Sequence, residues 1–235
     1  MSRNERVLVI PDMHMPYCHP DTWKFLSGVN DKYMPDRVIC LGDEVDHHAL
    51  SYHESNPSLD SAGPELEKAI RFLQPIYELF PKVDVLESNH GSLVYRKAQT
   101  AGIPKHLIVP YRQQIQAPQG WHWHFDLTIT LSNNQRVYFH HGKTKSRDKL
   151  SQRQSMNSVQ GHFHSEFHIV YWANPTALFW DMHLGCLADQ NSMAQAYGRN
   201  NLERGIVGCG VILNGHPHLI PMVLKKGGRW DGRVL

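Results

Sequence analysis

The sequence lacks the features that mark membrane proteins and disulfide-stabilised secreted proteins. No apolar run approaches the roughly 20 residues that cross a bilayer. The polar start, Ser2 to Arg6, precedes an apolar run too short for a signal peptide. The four cysteines stand far apart with no CxxC pair, which is typical of a reduced protein. We therefore expect a soluble, intracellular (cytoplasmic) protein with no membrane partner.

A strong charge of either sign is also missing. The formal net charge is +2, which neither requires nor excludes nucleic acid as a partner. Charged residues make up 20% and apolar residues 41% of the chain, so a normal folded core is expected and disorder is not. Because no Pro/Gly/Ser-rich linker, repeat or low-complexity stretch divides the chain, we expect residues 1–235 to form a single domain.

Strands and helices alternate in the first half. Apolar runs at 6–12 and 37–43 each end at a carboxylate, and a third strand is predicted at 82–87. Apolar residues at helical spacing predict a helix over 64–80, which Pro75 is expected to kink or break. This alternation is typical of βαβ units.

The second half is rich in short strands. Residues 121–125 alternate with period two, and the strand at 136–140 is expected to return after a turn at Asn133-Asn134. Asn214-Gly215 is a strong hairpin signal. Further strands are predicted at 158–161, 166–172, 177–184, 206–213 and 217–224. The pattern favours an α/β protein with two packed sheets and outer helices.

Histidine is abundant, at 17 residues, and many of the histidines lie in segments that follow predicted strands. Such strand ends are where α/β sheets build sites. Five segments follow strands in this way: Asp12-Met13-His14, Gly42-Asp43-Glu44-Val45-Asp46, Asn89-His90, His141-Gly142 and Gly161-His162-Phe163-His164. Mixed imidazole and oxygen ligands suit manganese, iron, nickel or zinc better than calcium. Two such ions, roughly 3.5–4 Å apart, can clamp both oxygens of a displacement at phosphorus.

In this order the segments resemble the motifs of the calcineurin-like metallophosphoesterases: DxH, GDxxD, NH, H and GHxH. The match spans residues 12–164. The resemblance implies a four-layer αββα sandwich of two mixed β-sheets flanked by helices, with the C-terminal strands in the second sheet. It also implies hydrolysis of a phosphate ester by a metal-bound hydroxide.

The resemblance further implies two divalent metal ions, with Mn²⁺ preferred and Fe, Ni or Zn as alternatives. Asp43 would bridge them. The metal ligands carried over are Asp12, His14, Asp43 and His164 for one ion, and Asp43, Asn89, His141 and His162 for the other. His90 would be the general acid or charge stabiliser, and Asp46 would orient it.

Two departures from the family pattern bear on the substrate. Protein phosphatases of the family extend the second motif to GDxVDRG, where the arginine helps to hold phosphate, but His47 occupies that position here. The third motif usually begins with glycine and is followed by an acidic residue, whereas here it reads Ser88-Asn89-His90-Gly91. The first departure argues against a protein phosphatase.

Several polar residues near the motifs have two interpretations. His140 could replace His141 as the ligand, but we favour His141 because the family places glycine directly after the ligand. His122 and His124 fit one face of a half-buried strand. Glu44 is expected to point away from the metals, because neighbouring residues at a strand end face different ways.

Four side chains are candidates for substrate contact: His47, Arg96, Lys143 and Arg147. His47 either touches substrate or lies in a solvated loop. Lys143 and Arg147 belong to a basic run that reaches Arg153. This run is either a solvated helix face or a track for a phosphate backbone, and both interpretations stay open.

The first functional hypothesis is a phosphoesterase, with a preference for phosphodiesters or nucleic-acid ends because of the basic run. A small-molecule, nucleotide or protein phosphomonoesterase is the alternative. The second hypothesis, from another class, is a binding scaffold that keeps the fold without catalysis. The complete set of predicted ligands together with His90 argues against the scaffold.

Overall fold

The computed structural model describes residues 5–52, 56–146, 149–194 and 203–235. Its first sheet has six strands, which in spatial order are β11 (His216–Pro221), β10 (Gly208–Leu213), β1 (Arg6–Ile10), β2 (Arg37–Cys40), β3 (Val83–Leu86) and β4 (Trp121–His124). Strands β1 to β4 are parallel, and β10 and β11 pair antiparallel with their neighbours. The carboxyl ends of the parallel strands therefore share one edge of the sheet.

The second sheet is also mixed. Its spatial order is β5 (Leu127–Thr130), β6 (Arg136–His140), β7 (Asn157–Gln160), β9 (Leu178–Leu184) and β8 (Phe167–Ala173). Strands β6, β7 and β9 are parallel, while β5 and β8 are antiparallel edge strands.

Helices cover the outer faces of both sheets. They are α1 (Thr22–Tyr33), α2 (Ala62–Leu79), α3 (Leu93–Thr100), α4 (Tyr111–Gln114) and α5 (Lys149–Gln154), with short 3-10 turns at His48–Leu50 and Lys105–Leu107. One apolar core lies between α1, α2 and the first sheet, around Phe25 and Leu73. A second core lies between the sheets and joins Val9 and Ile39 to Phe139 and Val159. With α5 against β7 and β9, the two mixed sheets and their flanking helices form the expected layered fold.

Three expectations about the elements are wrong in part. The C-terminal strands β10 and β11 join the first sheet rather than the second, because β10 pairs with the edge of β1 that faces away from β2. The strand at 136–140 returns from β5, which was not predicted, and not from β4. Helix α2 continues through Pro75 without a break, since Leu73 and Ile76 on either side are fully buried in the first core.

No helix within the described ranges combines the length and apolar character needed to cross a membrane. The hairpin predicted at Asn214-Gly215 is present between β10 and β11, with both residues at positive φ.

Candidate metal centre

Two buried carboxylates, Asp12 and Asp43, lie just beyond the ends of β1 and β2. The backbone N–H of His162 donates to Asp12 Oδ2 at 2.8 Å, which ties the second sheet to the first. Asp43 has a left-handed backbone (φ 51°) and accepts a hydrogen bond from the His90 backbone N–H at 3.1 Å. Its own N–H donates to Ser88 Oγ at 2.9 Å. Hydrogen bonds from the loops of both sheets therefore hold the carboxylates in place.

The first group of donor atoms contains Asp12, His14 and His164. The Nε2 atoms of the two histidines are 3.1 Å apart, and His164 Nε2 lies 3.3 Å from Asp12 Oδ2. His14 Nε2 is also 3.6 Å from Asp43 Oδ2. His14 has a left-handed backbone (φ 52°), which is unfavourable for a residue with a Cβ.

The second group contains Asn89, His141 and His162. His141 Nε2 is 2.7 Å from Asn89 Oδ1, 3.2 Å from His162 Nδ1 and 3.3 Å from Asp43 Oδ2. His141 Nδ1 is 2.8 Å from the Leu41 carbonyl, to which it donates. That hydrogen bond leaves Nε2 as the nitrogen that faces the centre. Asp43 Oδ2 thus lies within reach of both groups.

The arrangement of these atoms fits a pair of divalent cations. In each group two histidine nitrogens face one another at close to 3 Å, a contact that needs a shared proton or a metal ion between them. Asp12 Oδ1 is buried and has no hydrogen-bond partner among the described residues. The ligand atoms of Asp12, His14 and His164 lie within 4.8 Å of one another, as do those of Asp43, His141 and His162. The mixed nitrogen and oxygen donors suit transition-metal ions.

The ionisable groups of the centre influence one another strongly. Burial raises the pKa of the Asp43 carboxyl, but His141, His90 and His14 outweigh burial and bring it well below its ordinary value. Burial lowers the pKa of His141, but the Asp43 and Asp12 carboxylates raise it to about 9. Without metal, His141 therefore carries a proton at neutral pH, and binding a divalent cation would displace it.

His90 lies beside the centre. Its ring centroid is 4.7 Å from that of His14, and its Nδ1 donates to the backbone carbonyl of Asp46. Burial lowers the pKa of His90, but the carboxylates of Asp43 and Asp46 give a net increase.

The Asp46 carboxylate contacts His14 and not His90, the partner that was expected. Its Oδ1 is 2.6 Å from His14 Nδ1, whereas Asp46 contacts His90 through its backbone carbonyl. The Asp46 side chain therefore holds the ligand His14, with Nε2 towards the metal centre, and the Asp46 backbone holds His90.

The sequence profile of calcineurin-like phosphoesterases matches residues 5–219. The chain belongs to the calcineurin-like phosphoesterase family. Members of this family generally bind two divalent metals, in agreement with the donor groups described above.

Two solved Vps29 structures support the fold of the chain, and a third structure is similar. Vps29 from Cryptosporidium parvum is 11% identical with a TM-score of 0.51, over 99% of this chain and 95% of that one. Vps29 from Chaetomium thermophilum is 11% identical with a TM-score of 0.50, over 97% and 93%. The phosphoesterase Yfce from E. coli is 10% identical with a TM-score of 0.48, over 98% and 96%. No curated protein matches the chain.

The predicted substrate contacts of this family member lie in different environments. His47 is 3% exposed, and burial together with His90 lowers its pKa to about 4. Arg96 donates from Nη2 to the Asn89 carbonyl at 2.7 Å, so its guanidinium borders the centre. Lys143 extends over aromatic rings beside the second sheet. Arg147 lies outside the described residues.

Of the two candidate histidines at the end of β6, His141 faces the centre and His140 does not. The His140 ring packs between Phe125 and Tyr138, at 5.8 Å and 6.3 Å between centroids. Burial, and then the charge of Lys143, lower its pKa to about 4. His140 is therefore a neutral structural residue.

Glu44 points away from the centre, as expected. It is fully buried and accepts hydrogen bonds from Trp123 Nε1 at 3.1 Å and the Tyr111 hydroxyl at 3.3 Å. Burial is the main cause that raises its pKa to about 7. The hydrogen bond from Tyr111 thus attaches α4 to the loop that carries Asp43 and Glu44.

Three residues that support the metal centre were not predicted to be functional from the sequence. Ser88 Oγ accepts hydrogen bonds from the backbone N–H groups of both Asp43 and Gly91. In the sequence, this residue is marked only because it stands where the third motif usually has glycine. A Cβ on Gly161 would lie 2.4 Å from Asp12 Oδ1. A Cβ on Gly142 would lie 2.4 Å from that of His162. Both glycines are marked only by their place beside a ligand.

Proposed function

We propose that the chain is a dinuclear-metal phosphoesterase that acts on phosphodiesters, including nucleic acid as a nuclease or end-processing enzyme. The observation that carries this proposal is the position of Asp43 Oδ2. It lies 3.6 Å from the nearest nitrogen of one histidine pair and 3.3 Å from that of the other. A carboxylate shared in this way offsets the repulsion between two cations.

Seven side chains would hold the metals, with Asp43 common to both: Asp12, His14, Asp43, Asn89, His141, His162 and His164. When bound, two divalent cations, Mn²⁺ in our proposal, supply Lewis acidity and make water available as a nucleophile near neutral pH. The chain's own contribution is to orient these ligands. The Asp46 carboxylate and the Leu41 carbonyl hold the outer nitrogens of His14 and His141.

His90 is the proposed general acid. Its Nδ1 proton is engaged with the Asp46 carbonyl, so Nε2 is the nitrogen left to give a proton to the leaving oxygen. The Asp43 and Asp46 carboxylates raise the pKa of His90, which favours its protonated form.

The preference for diesters rests on the cations that border the centre. Position 47 holds a buried histidine of low pKa rather than an arginine. Arg96 has no carboxylate within ion-pair distance among the described residues, and its guanidinium is fixed to the carbonyl of the ligand Asn89. An arginine without an acidic partner at this place is suited to a phosphate oxygen.

The test compares bis-(p-nitrophenyl) phosphate with p-nitrophenyl phosphate in Mn²⁺, and then single-stranded DNA, nucleotides and phosphopeptides. We expect hydrolysis of the diester at a higher kcat/KM than the monoester. Strong monoester activity without diester or nucleic-acid cleavage would support the phosphomonoesterase alternative instead. No turnover of any ester with Mn, Fe, Ni or Zn would favour the binding scaffold.

A further inference from the structure

Cationic side chains lie over aromatic rings in two places near the segments that carry the metal ligands. On the side of the first sheet, Lys97 Nζ is 4.0 Å from the centroid of the Tyr52 ring, and the Arg96 guanidinium is 5.3 Å from it. On the side of the second sheet, Lys143 Nζ is 5.8 Å from the centroid of Phe125 and 5.6 Å from that of Tyr138.

These three cations form no ion pair with another described residue. Within the described parts of the chain, Arg96, Lys97 and Lys143 have no carboxylate within ion-pair distance, unlike Lys68, which pairs with Asp60. A cation over an aromatic ring gains only about 0.5–1 kcal/mol at an exposed site, so it remains available to an anion. These three cations are therefore candidates to contact an anion, although the chain as a whole carries a net charge of only +2.

Each side also presents one exposed ring. Tyr52 is 57% exposed and Phe125 is 66% exposed, in contrast to Tyr138 at 5%. Large exposed aromatic rings lose apolar contact with water when a flat partner stacks on them. Nucleobases offer such a flat face whatever the sequence.

The two sets of rings and cations belong to segments that also carry proposed metal ligands. Arg96 donates to the carbonyl of Asn89, and Lys143 follows His141 by two residues. The Asn89 and His141 side chains are themselves 2.7 Å apart. Both sets are therefore attached to segments that carry ligands of the second donor group.

We propose that a single-stranded nucleic acid binds across the metal centre. One base stacks on Tyr52, another stacks on Phe125, and the phosphates between them contact Arg96, Lys97 and Lys143. The inference rests on the proposed function in one respect, since it takes the intervening phosphodiester to be the one hydrolysed. A duplex fits less well because its bases are already stacked and cannot cover isolated rings.

The experiment measures binding of a fluorescein-labelled oligothymidylate by anisotropy, with EDTA present so that no hydrolysis occurs. We expect Tyr52→Ala and Phe125→Ala each to raise Kd about tenfold, because base stacking on an aromatic ring contributes on that scale. Tyr52→Phe and Phe125→Tyr keep a ring and should bind like the wild type. Both native rings are largely exposed, so these changes should leave the fold intact.

Salt dependence tests the role of the cations. Lys143→Ala should reduce the slope of log K against log salt by about 0.7, the value for one phosphate contact with a single strand. Lys82 is the matched control, since it is exposed just before β3 and so lies at the opposite edge of the first sheet. Lys82→Ala should leave the slope unchanged.

Three results would overturn the inference: no binding of the oligonucleotide, equal binding of a blunt duplex of the same length, or alanine variants that bind like the wild type. If the wild type hydrolyses bis-(p-nitrophenyl) phosphate yet binds no oligonucleotide, this inference fails and the proposed function stands. Ring-dependent binding without hydrolysis under any metal would support the nucleic-acid surface and overturn the proposed function.

Discussion

At the scale of single residues, Asp43 and Glu44 show how adjacent carboxylates acquire different chemistry. Both are buried, yet histidines surround Asp43 while Trp123 and Tyr111 surround Glu44. The pKa of Asp43 is therefore brought well below its ordinary value, and that of Glu44 is raised to about 7. Asp43 is suited to bind cations, and Glu44 is suited to accept hydrogen bonds inside the fold.

The first prediction concerns metal content. Asp43→Asn should weaken both metal sites together, because Asp43 Oδ2 faces a histidine nitrogen of each group. The measurement is the number of metal ions per chain after dialysis, by elemental analysis. Glu44→Gln is the matched control, and it should retain the wild-type metal content. Two ions per chain and full activity in Asp43→Asn would show that this residue does not bridge.

The second prediction separates catalysis from metal binding. His90→Ala should lower kcat by about 10²–10⁴-fold, the usual contribution of a general acid, while most of the metal is kept. Its ring is held by the Asp46 carbonyl and lies beside His14, but none of the seven proposed ligands is removed. His122→Ala, an exposed change on β4, serves as the control. An unchanged kcat would remove His90 from the mechanism.

At the scale of secondary-structure elements, local signals predicted the strands that precede the proposed ligands. Most of these strands are apolar runs, the exception being the largely polar β7 before His162, and parallel strands bring their carboxyl ends to one edge whatever their order. The pairing of β10 with β1 depends instead on which strand edges remain open in the folded sheet. No local pattern reports that, and the C-terminal hairpin was accordingly assigned to the wrong sheet.

Sequence patterns also could not predict which side chains contact one another. The family resemblance implied that Asp46 orients His90, but only the structure shows its carboxylate on His14 and its carbonyl on His90. The role of Tyr111 depends likewise on the packing of α4 against β4. Its ring meets that of Trp123 edge to face at 5.9 Å between centroids.

The third prediction tests this attachment of α4. Tyr111→Phe removes the hydroxyl that donates to Glu44 Oε2 and should lower the free energy of unfolding by about 1 kcal/mol. Urea unfolding in EDTA would measure the change without a contribution from metal. Tyr95→Phe is the control, because the Tyr95 hydroxyl has no hydrogen bond to other described residues. Equal losses in the two variants would show that the contact with Glu44 contributes nothing specific.

At the scale of the whole molecule, the C-terminal segment 225–235 connects the end of the chain to α1. The carbonyls of Val234 and Leu235 accept hydrogen bonds from Lys32 and Tyr33, both at 2.8 Å. The Trp230 ring meets Phe25 edge to face at 5.6 Å. Because α1 packs on the strands that carry Asp12 and Asp43, this segment supports the face of the first sheet opposite the second sheet.

The charged contact of this segment is the pair of Asp21 and Arg229, and it makes the fourth prediction. Hydrogen bonds from the Arg229 guanidinium hold the pKa of Asp21 well below its ordinary value of 3.8. An acid with a lowered pKa in the folded state adds stability above its unfolded pKa, and this is lost as the pH falls towards the folded value. Arg229→Ala should therefore have a lower urea midpoint than the wild type at pH 6, and this difference in midpoint should narrow from pH 4 to pH 3.

Arg233→Ala is the control, because it removes only a local pair with Asp231, and its urea midpoint should show no such difference at either pH. A gap between Arg229→Ala and the wild type that stayed constant from pH 6 to pH 3 would mean that the segment is held by Trp230 and the backbone contacts rather than by this ion pair.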